Sequence, residues 1–114
     1  MWLNTEAFGE IADVTPLDLD RVLAIDSFGI FAQLFDEAGG WIQAGKAEPG
    51  PLREAFISKH GSEPWRLQYG HERSAPVFQA VGLVTLGQVR EAFQSFLAGD
   101  DEWQQQSTWA TLPR

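Results

Sequence analysis

Two histidines, His60 and His71, are the side chains in this sequence best suited to acid–base chemistry near neutral pH. Catalysis by such groups requires further titratable side chains that converge on the same pocket. Both histidines instead stand beside a glycine, in segments typical of solvated loops. We therefore predict no catalytic residue and interpret the chain as non-enzymatic.

Patterns that bind metals or cofactors are also missing. The histidines do not form an H-x-H or H-x-x-x-H motif, and the absence of cysteine excludes a thiolate zinc site. Asp100, Asp101 and Glu102 could attract Ca²⁺, but consecutive acids lack the spaced ligands of a calcium loop. No P-loop, G-x-G-x-x-G or G-x-S-x-G motif occurs. We predict a solvated turn at the acidic run, with no metal and no cofactor.

Three basic residues, Arg53, Lys59 and Arg66, could form a small anion-binding patch if their segments are neighbouring strands. Pairing across the strands with Glu54 or Glu63 is the more frequent arrangement for such charges. We expect the pairing rather than the patch.

The segment after Thr15 has the signals of a helix start. Thr15 can cap the helix, Pro16 suits its first position and Asp18 favours the positive end of the helix dipole. An apolar face then continues, which predicts a helix from residue 16 to about residue 25. Leucine and aspartate alternate in residues 17–20, which also permits a strand; we favour the helix.

Apolar segments separated by glycine and proline follow this helix, and they predict four or five antiparallel strands joined as a meander. The predicted strands are residues 28–35, 41–45, 52–58, 65–69 and 76–81. The first two form a hairpin, and the last is expected at a sheet edge because Pro76 has no N–H to donate. Most aromatic side chains of this region are predicted to lie in the core, and a minority could line a groove: Phe28, Phe31, Phe35, Trp41, Phe56, Trp65 and Tyr69.

The best-defined element is a helix near the C-terminus, expected to cover one sheet face. Thr85 and Gln88 match a capping box, apolar residues then recur at helical spacing, and Gly99 suits the left-handed position after the last turn. The polar tail beyond it contains Trp103 and Trp109. Two such large apolar side chains predict a tail that folds back and packs.

Together these elements predict an α+β fold in a single domain, residues 1–114. It would comprise an N-terminal helix, a four- to five-stranded antiparallel meander, a C-terminal helix packed on one sheet face and a folded-back tail containing tryptophan. The composition, 44% hydrophobic and 12% aromatic, is too apolar for a disordered chain. We see no signal-peptide pattern, no stretch of about 20 apolar residues and no cysteine, and we expect a cytoplasmic protein.

Negative charge is distributed unevenly along the chain, whose formal net charge is −8. Residues 1–45 contain eight acidic residues and one basic residue, whereas residues 46–90 contain six basic and four acidic residues. An acidic chain argues against nucleic acid or an anionic membrane as a partner, because both require a basic face. A basic protein is the partner that fits. The alternative is that the acidic surface only keeps the protein in solution.

Three local patterns resemble a known group of proteins. They are F-G-I-F-A-Q-L-F-D-E-A-G-G-W-I-Q-A at residues 28–44, T-L-G-Q-V-R-E-A-F-Q-S-F-L-A-G-D at residues 85–100, and the closing D-D-E-W…W-A-T-L. Together they resemble small acidic bacterial immunity-type proteins of polymorphic toxin systems. The resemblance implies a cytoplasmic, non-enzymatic protein that binds a partner protein, and it transfers no functional residue to this chain.

The leading hypothesis is a protein that neutralises a basic partner, such as a toxin, through an acidic surface. The candidate partner-binding residues are those in which the negative charge is concentrated: Asp18, Asp20, Asp26, Asp36 and Glu37. A second hypothesis is a small acidic secretion chaperone that holds an extended client as a dimer. A third is a small-ligand binder or enzyme with a pocket that sequence patterns do not reveal. The oligomeric state is not predicted.

Overall fold

The computed structural model describes residues 1–72 and 76–112. Within them the chain forms seven strands, four α-helices and one short 3₁₀ helix, at Asp26–Phe28. In chain order the elements are β1 (Trp2–Thr5), β2 (Gly9–Ile11), α1 (Pro16–Val22), β3 (Phe31–Phe35), β4 (Trp41–Lys46), α2 (Pro51–His60), β5 (Trp65–Gly70), β6 (Phe78–Ala80), α3 (Leu86–Ala98), α4 (Glu102–Gln105) and β7 (Trp109–Thr111).

The described strands form one open antiparallel sheet in the order β2-β1-β3-β4-β5-β6-β7. The α+β class is therefore confirmed, but the strand count and arrangement differ from the prediction. The sequence interpretation placed a helix first and omitted β1 and β2. Both strands are short. Burial alternates along β1, but its sequence, Trp-Leu-Asn-Thr, does not alternate apolar and polar residues, and β2 has no buried residue, so neither gives the sequence signal of a half-buried strand.

Residues 52–58, predicted as the third strand, belong to helix α2, and that prediction is wrong. Pro51 occupies the start of the helix and Gly61 ends it in the left-handed conformation, at φ 72°. Proline at the first position and glycine after the last are the usual boundaries of a helix. No side chain of α2 is buried, so the alternation in this segment does not reflect burial against a sheet.

The strand predicted at residues 76–81 is shorter and lies elsewhere in the sheet. It comprises Phe78–Ala80 and lies between β5 and β7, so it is not the predicted edge strand. Pro76 precedes the strand and does not interrupt its ladder. The edge position is taken by β7, which the tail supplies. The tail therefore folds back as predicted, and its residues 109–111 form the additional strand β7.

The predicted caps of α1 and α3 are present. Thr15 and Asp18 form a capping box at α1, and Thr85 and Gln88 form one at α3. Helix α1 ends at Val22, three residues earlier than predicted, and the 3₁₀ helix follows after a short break. Strand β3 ends at Phe35 as predicted but begins at Phe31, three residues late, because Phe28 belongs to the 3₁₀ helix. Strand β4 begins at Trp41 as predicted and ends one residue later than predicted, at Lys46.

Helix α3 contacts α1, β4 and β5, so both helices lie on the same side of the sheet. Nearly all of the described buried apolar residues form one cluster between these layers. Alternate residues of the central strands point into it, and α1 and α3 supply the other side. Its fully buried members include Leu34, Ile42, Leu19, Val89 and Phe93. The opposite face of the sheet is turned away from both helices.

Two glycines, one in the first turn of α3 and one directly after its last turn, provide a matched test of where the helix ends. Gly99 adopts φ 80° after the last turn, where an L-residue is strained although no atom lies within 4 Å of an added Cβ. We expect Gly99→Ala to lower the free energy of unfolding by about 1 kcal/mol. Gly87 lies in the first turn, with its nearest neighbour 3.7 Å from an added Cβ. Gly87→Ala should stabilise the protein by about 0.5 kcal/mol.

Urea denaturation of the two variants beside the wild type measures both effects. A loss of stability at Gly87, or none at Gly99, would contradict the assigned helix boundary.

Candidate functional site

The fold brings distant acidic residues together at one end of the sheet. The β3–β4 turn, the end of β5 and the α3–α4 connection meet there around an open groove of about 410 Å³. Its lining includes three acidic residues, Asp36, Asp100 and Asp101, and two aromatic residues, Tyr69 and Trp103. We call this feature, defined by these five residues, the acidic groove.

Asp36 is held in place by the turn that it organises. Its Oδ1 accepts hydrogen bonds from the backbone N–H groups of Ala38 and Gly40, both at 2.8 Å. Its Oδ2 lies 2.6 Å from the position that a Cβ on Gly40 would occupy, so a larger residue at position 40 would require the Asp36 carboxylate to move. The carboxylate is therefore fixed at the groove, and Oδ2 has no hydrogen-bond donor among the described residues.

Glu37 lies beside Asp36 and binds the amino group of Met1, which donates to Oε1 at 2.5 Å. This hydrogen bond is the main reason that the pKa of Glu37 is below its ordinary value. Glu10, Asp13 and Glu37 also line a neighbouring surface groove with Met1. Negative charge thus extends from the acidic groove toward β2.

Asp100 joins α4 to the end of α3. Its Oδ1 accepts hydrogen bonds from the hydroxyl of Ser95 and, at 3.1 Å, from the N–H of Glu102. The Ser95 hydroxyl in turn accepts from the N–H of Trp103 at 3.2 Å. Asp101 occupies the position before α4 without capping it, so its carboxylate has no such internal role. The acidic run predicted as a solvated turn is therefore partly structural.

Tyr69 is at the centre of an aromatic cluster that forms one wall of the acidic groove. Its ring stacks on Phe78 at 4.9 Å and meets Trp103 and Trp109 edge-on, each at 4.7 Å between ring centroids. His71 is a further edge-on neighbour, at 5.6 Å. This packing buries about nine-tenths of the Tyr69 side chain, and burial raises its pKa.

The described ion pairs of basic side chains lie at the opposite end of the sheet. Arg53 pairs with Glu63 at 2.6 Å, so a predicted partner is present, but the pair is not across two strands because Arg53 lies in α2. Arg66 pairs with Glu48 at 2.7 Å, and Lys46 approaches Glu63 at 3.2 Å. These pairs place much of the positive charge far from the acidic groove. Of the three residues considered for an anion-binding patch, Arg53 and Arg66 are each paired with a carboxylate, and Lys59 lines a surface groove with Arg66.

The five candidate partner-binding residues do not lie on one surface. Asp18 caps α1, where the N–H of Thr15 lowers its pKa, and Asp20 accepts a hydrogen bond from Gln94 at 3.0 Å. Asp26 lies near Lys46, 3.9 Å away, at the end of the sheet remote from the β3–β4 turn. Only Asp36 and Glu37 are neighbours, and Asp100 and Asp101 join them from the distant tail.

The two histidines occupy different ends of the molecule. His60 is in the last turn of α2, with its ring 4.2 Å from that of Phe56. His71 follows β5 and lines the acidic groove. Within residues 1–72 and 76–112, no three side chains of His, Cys, Asp or Glu gather closely enough to hold a metal ion.

The sheet face away from α1 and α3 carries a row of amide side chains. Asn4, Gln33, Gln43, Gln68 and Gln79 occupy facing positions on five adjacent strands, β1, β3, β4, β5 and β6. Each amide nitrogen donates to the amide oxygen on the next strand, at 3.2, 2.7, 3.3 and 2.8 Å in that order. We call these five residues the amide row.

A row of aromatic side chains lies beside the amide row. Trp2 stacks on Phe35 at 5.3 Å, and Trp41 follows on the next strand. The Trp41 ring covers Gly70, where an added Cβ would lie 2.7 Å from the ring. Of the seven aromatic residues predicted to lie mostly in the core, three are buried: Phe28, Trp65 and Tyr69. Phe31, Phe35, Trp41 and Phe56 are half-buried, so the prediction that most of the set lies in the core is wrong.

Sequence reasoning missed the amide row and the joining of the acidic segments. A signal for the row exists, because a single glutamine stands between apolar or aromatic neighbours in β3, β4, β5 and β6. Glutamine at one position reveals nothing about its partner until the register is known. The acidic groove has no local signal, since residues 36 and 100 are far apart in the chain.

Comparison of the chain with protein-family models, with curated proteins and with solved structures gave no significant match. In the described ranges, none of the helices has the length and apolar character required to cross a membrane. The function must therefore be argued from the site itself.

The position of a residue in the amide row should determine the cost of removing it. Gln43 bonds two neighbouring amides, whereas Gln79 bonds one. We expect Gln43→Ala to lower the free energy of unfolding by about 2 kcal/mol and Gln79→Ala by about 1 kcal/mol, because each lost bond leaves a half-buried amide unpaired. Urea denaturation measures both, and equal costs would contradict a continuous row.

The pKa of Tyr69 can be measured by absorbance without interference, because it is the only tyrosine in the sequence. We expect the absorbance of tyrosinate to titrate above the ordinary pKa of 10.0 in the folded protein. The folded state then keeps a proton that the unfolded chain loses, so the free energy of unfolding should fall as the pH rises above about 10. Titration in denaturant is the control, and coinciding midpoints would contradict the burial of this side chain.

Proposed function

We propose that this protein is a non-enzymatic protein-binding protein of the immunity type, which neutralises a basic protein partner. The observation that carries the proposal is the acidic groove, where three carboxylates from two distant segments surround an open concave surface. The resemblance of residues 28–44 and 85–112 to immunity-type proteins supports the same function. These two segments supply the carboxylates of the groove.

The electrostatics favour a basic partner. The formal net charge of the chain is −8. The ion pairs of Lys46, Arg53 and Arg66 lie at the opposite end of the sheet, so they do not neutralise the groove. A charged surface of one sign accelerates encounter with a partner of the other sign and selects against like-charged proteins.

We assign the partner-binding surface to Asp36 and Glu37, together with Asp100 and Asp101. Of the other candidates from the sequence, Asp18 and Asp26 each have a contact within the chain. Asp20 accepts a hydrogen bond from Gln94 and lies in a second open groove, which Asp100 also lines. The binding surface proposed from the structure is thus smaller than the one proposed from the sequence, and it includes part of the C-terminal tail.

The dimeric secretion chaperone remains a second candidate, and one observation favours it. Half-buried aromatic residues on the outer sheet face, Trp2, Phe35 and Trp41, could hold an extended client or a second copy. Light scattering separates the candidates, because a monomer at all concentrations counts against the chaperone.

The proposed function predicts that binding depends on charge at the β3–β4 turn. In the double variant Asp36→Asn and Glu37→Lys, asparagine retains the acceptor that organises the turn. The control, Asp26→Asn and Glu54→Lys, changes the net charge equally at exposed positions. Asp26 is at the remote end of the sheet. We expect the first variant to slow association about tenfold at low salt, with a smaller difference at high salt.

The partner is first isolated on the immobilised protein, identified and purified, and association is then measured by stopped-flow mixing. If the partner is a toxin, bacteria producing it should grow only when the wild-type protein or the control is also produced. Equal association rates for the two double variants, or protection by neither the wild type nor the control, would contradict the proposal.

A further inference from the structure

We propose that the acidic groove binds one arginine side chain of the protein partner. This inference rests on the proposed function and names the chemical group that the groove recognises. The guanidinium would lie among the carboxylates of Asp36, Asp100 and Asp101. One of its N–H groups would donate a hydrogen bond to the hydroxyl of Tyr69.

The charge of the groove is the first argument. In the described part of the chain, no basic group lies within ion-pair distance of Asp36, Asp100 or Asp101. The amino group of Met1 also lines the groove, but it is bound by Glu37. The three aspartates make the groove negatively charged, and this charge attracts a cation.

The spacing of the carboxylates favours an organic cation over a metal ion. Within the described residues, no three acidic or histidine side chains come close enough to share one metal ion. A guanidinium is planar and presents five N–H donors, so it can reach carboxylates that are too far apart for a metal. Lysine presents a compact ammonium and can contact fewer of them at once.

Tyr69 is the second, independent argument. About nine-tenths of this side chain is buried, yet it contributes to the lining of the groove. None of residues 1–72 and 76–112 forms a hydrogen bond with its hydroxyl. Among the described residues, this oxygen is not one of the fully buried atoms without a partner, so it is the part of the side chain that stays accessible to a donor. A donor placed in the groove would give this hydroxyl a hydrogen-bond partner.

The walls of the groove suit the rest of an arginine side chain. Phe96 and Trp103 line it and pack against each other at 5.8 Å. Such apolar walls can cover the three methylene groups of arginine while its charged end meets the carboxylates. The aromatic rings add an attraction for a cation over their faces.

The test uses single amino-acid probes, so that it does not depend on the partner. N-acetyl-arginine methylamide, its lysine counterpart and its citrulline counterpart are titrated into the whole chain, and backbone amide signals are followed by NMR. Citrulline has nearly the shape of arginine without its charge. We expect saturable shifts at Gly40, His71 and Asp101 with arginine, weaker binding of lysine, and no binding of citrulline.

Two variants test the residues of the groove. Asp36→Asn retains the turn acceptor, and Asp101→Asn removes a carboxylate with no capping role. Each should weaken the arginine probe about tenfold, the factor that corresponds to one charge-assisted hydrogen bond. Asp26→Asn, at the remote end of the sheet, is the control and should leave the affinity unchanged.

Three results would overturn the inference: no saturable shift at the groove with arginine, equal binding of lysine or citrulline, or unchanged affinity in both variants of the groove. The inference and the proposed function can fail separately. If the partner requires Asp36 and Glu37 but the arginine probe does not occupy the groove, only the inference is wrong. If the probe binds as expected but no protein partner depends on these charges, the proposed function is wrong.

Discussion

The register of β3, β4 and β5 is the constraint on which the rest of the structure depends. Leu34 faces Ile42, and Ala44 faces Leu67, so these side chains meet beneath α1 and α3. The same register puts Gln43 between two other glutamines on the outer face. A shift of one residue would exchange the two faces, exposing leucine and burying amides under the helices. One pairing pattern thus specifies both the core and the polar outer surface.

The C-terminal tail packs against the sheet and α3 and forms one side of the acidic groove. Trp103 packs against Tyr69, and the link from Asp100 through Ser95 to the N–H of Trp103 attaches α4 to α3. Strand β7 then pairs with β6. Because the tail is anchored in these three ways, Asp101 is held opposite the β3–β4 turn. The acidic groove is therefore a product of tertiary packing and does not belong to either segment alone.

Local signals predicted the elements that local interactions stabilise. The caps at Thr15 and Thr85 and the ending at Gly99 were correct, because side-chain oxygens and glycine conformations act within a few residues. The strand predicted at residues 52–58 is wrong because that prediction used the alternating pattern and not the helix-boundary residues Pro51 and Gly61. The approach of Asp36 to the end of α3 could not be predicted, since the order of strands determines it.

The amide row has a direction. All four bonds run from Asn4 toward Gln79, so, within the described residues, the oxygen of Asn4 and the nitrogen of Gln79 have no amide partner. Ala110, opposite Gln79 on β7, has no polar side chain and ends the row. Aligned amide dipoles polarise one another. The row therefore has two chemically different ends, with an amide acceptor beside Glu10 of β2 and an amide donor beside Ala110 of β7.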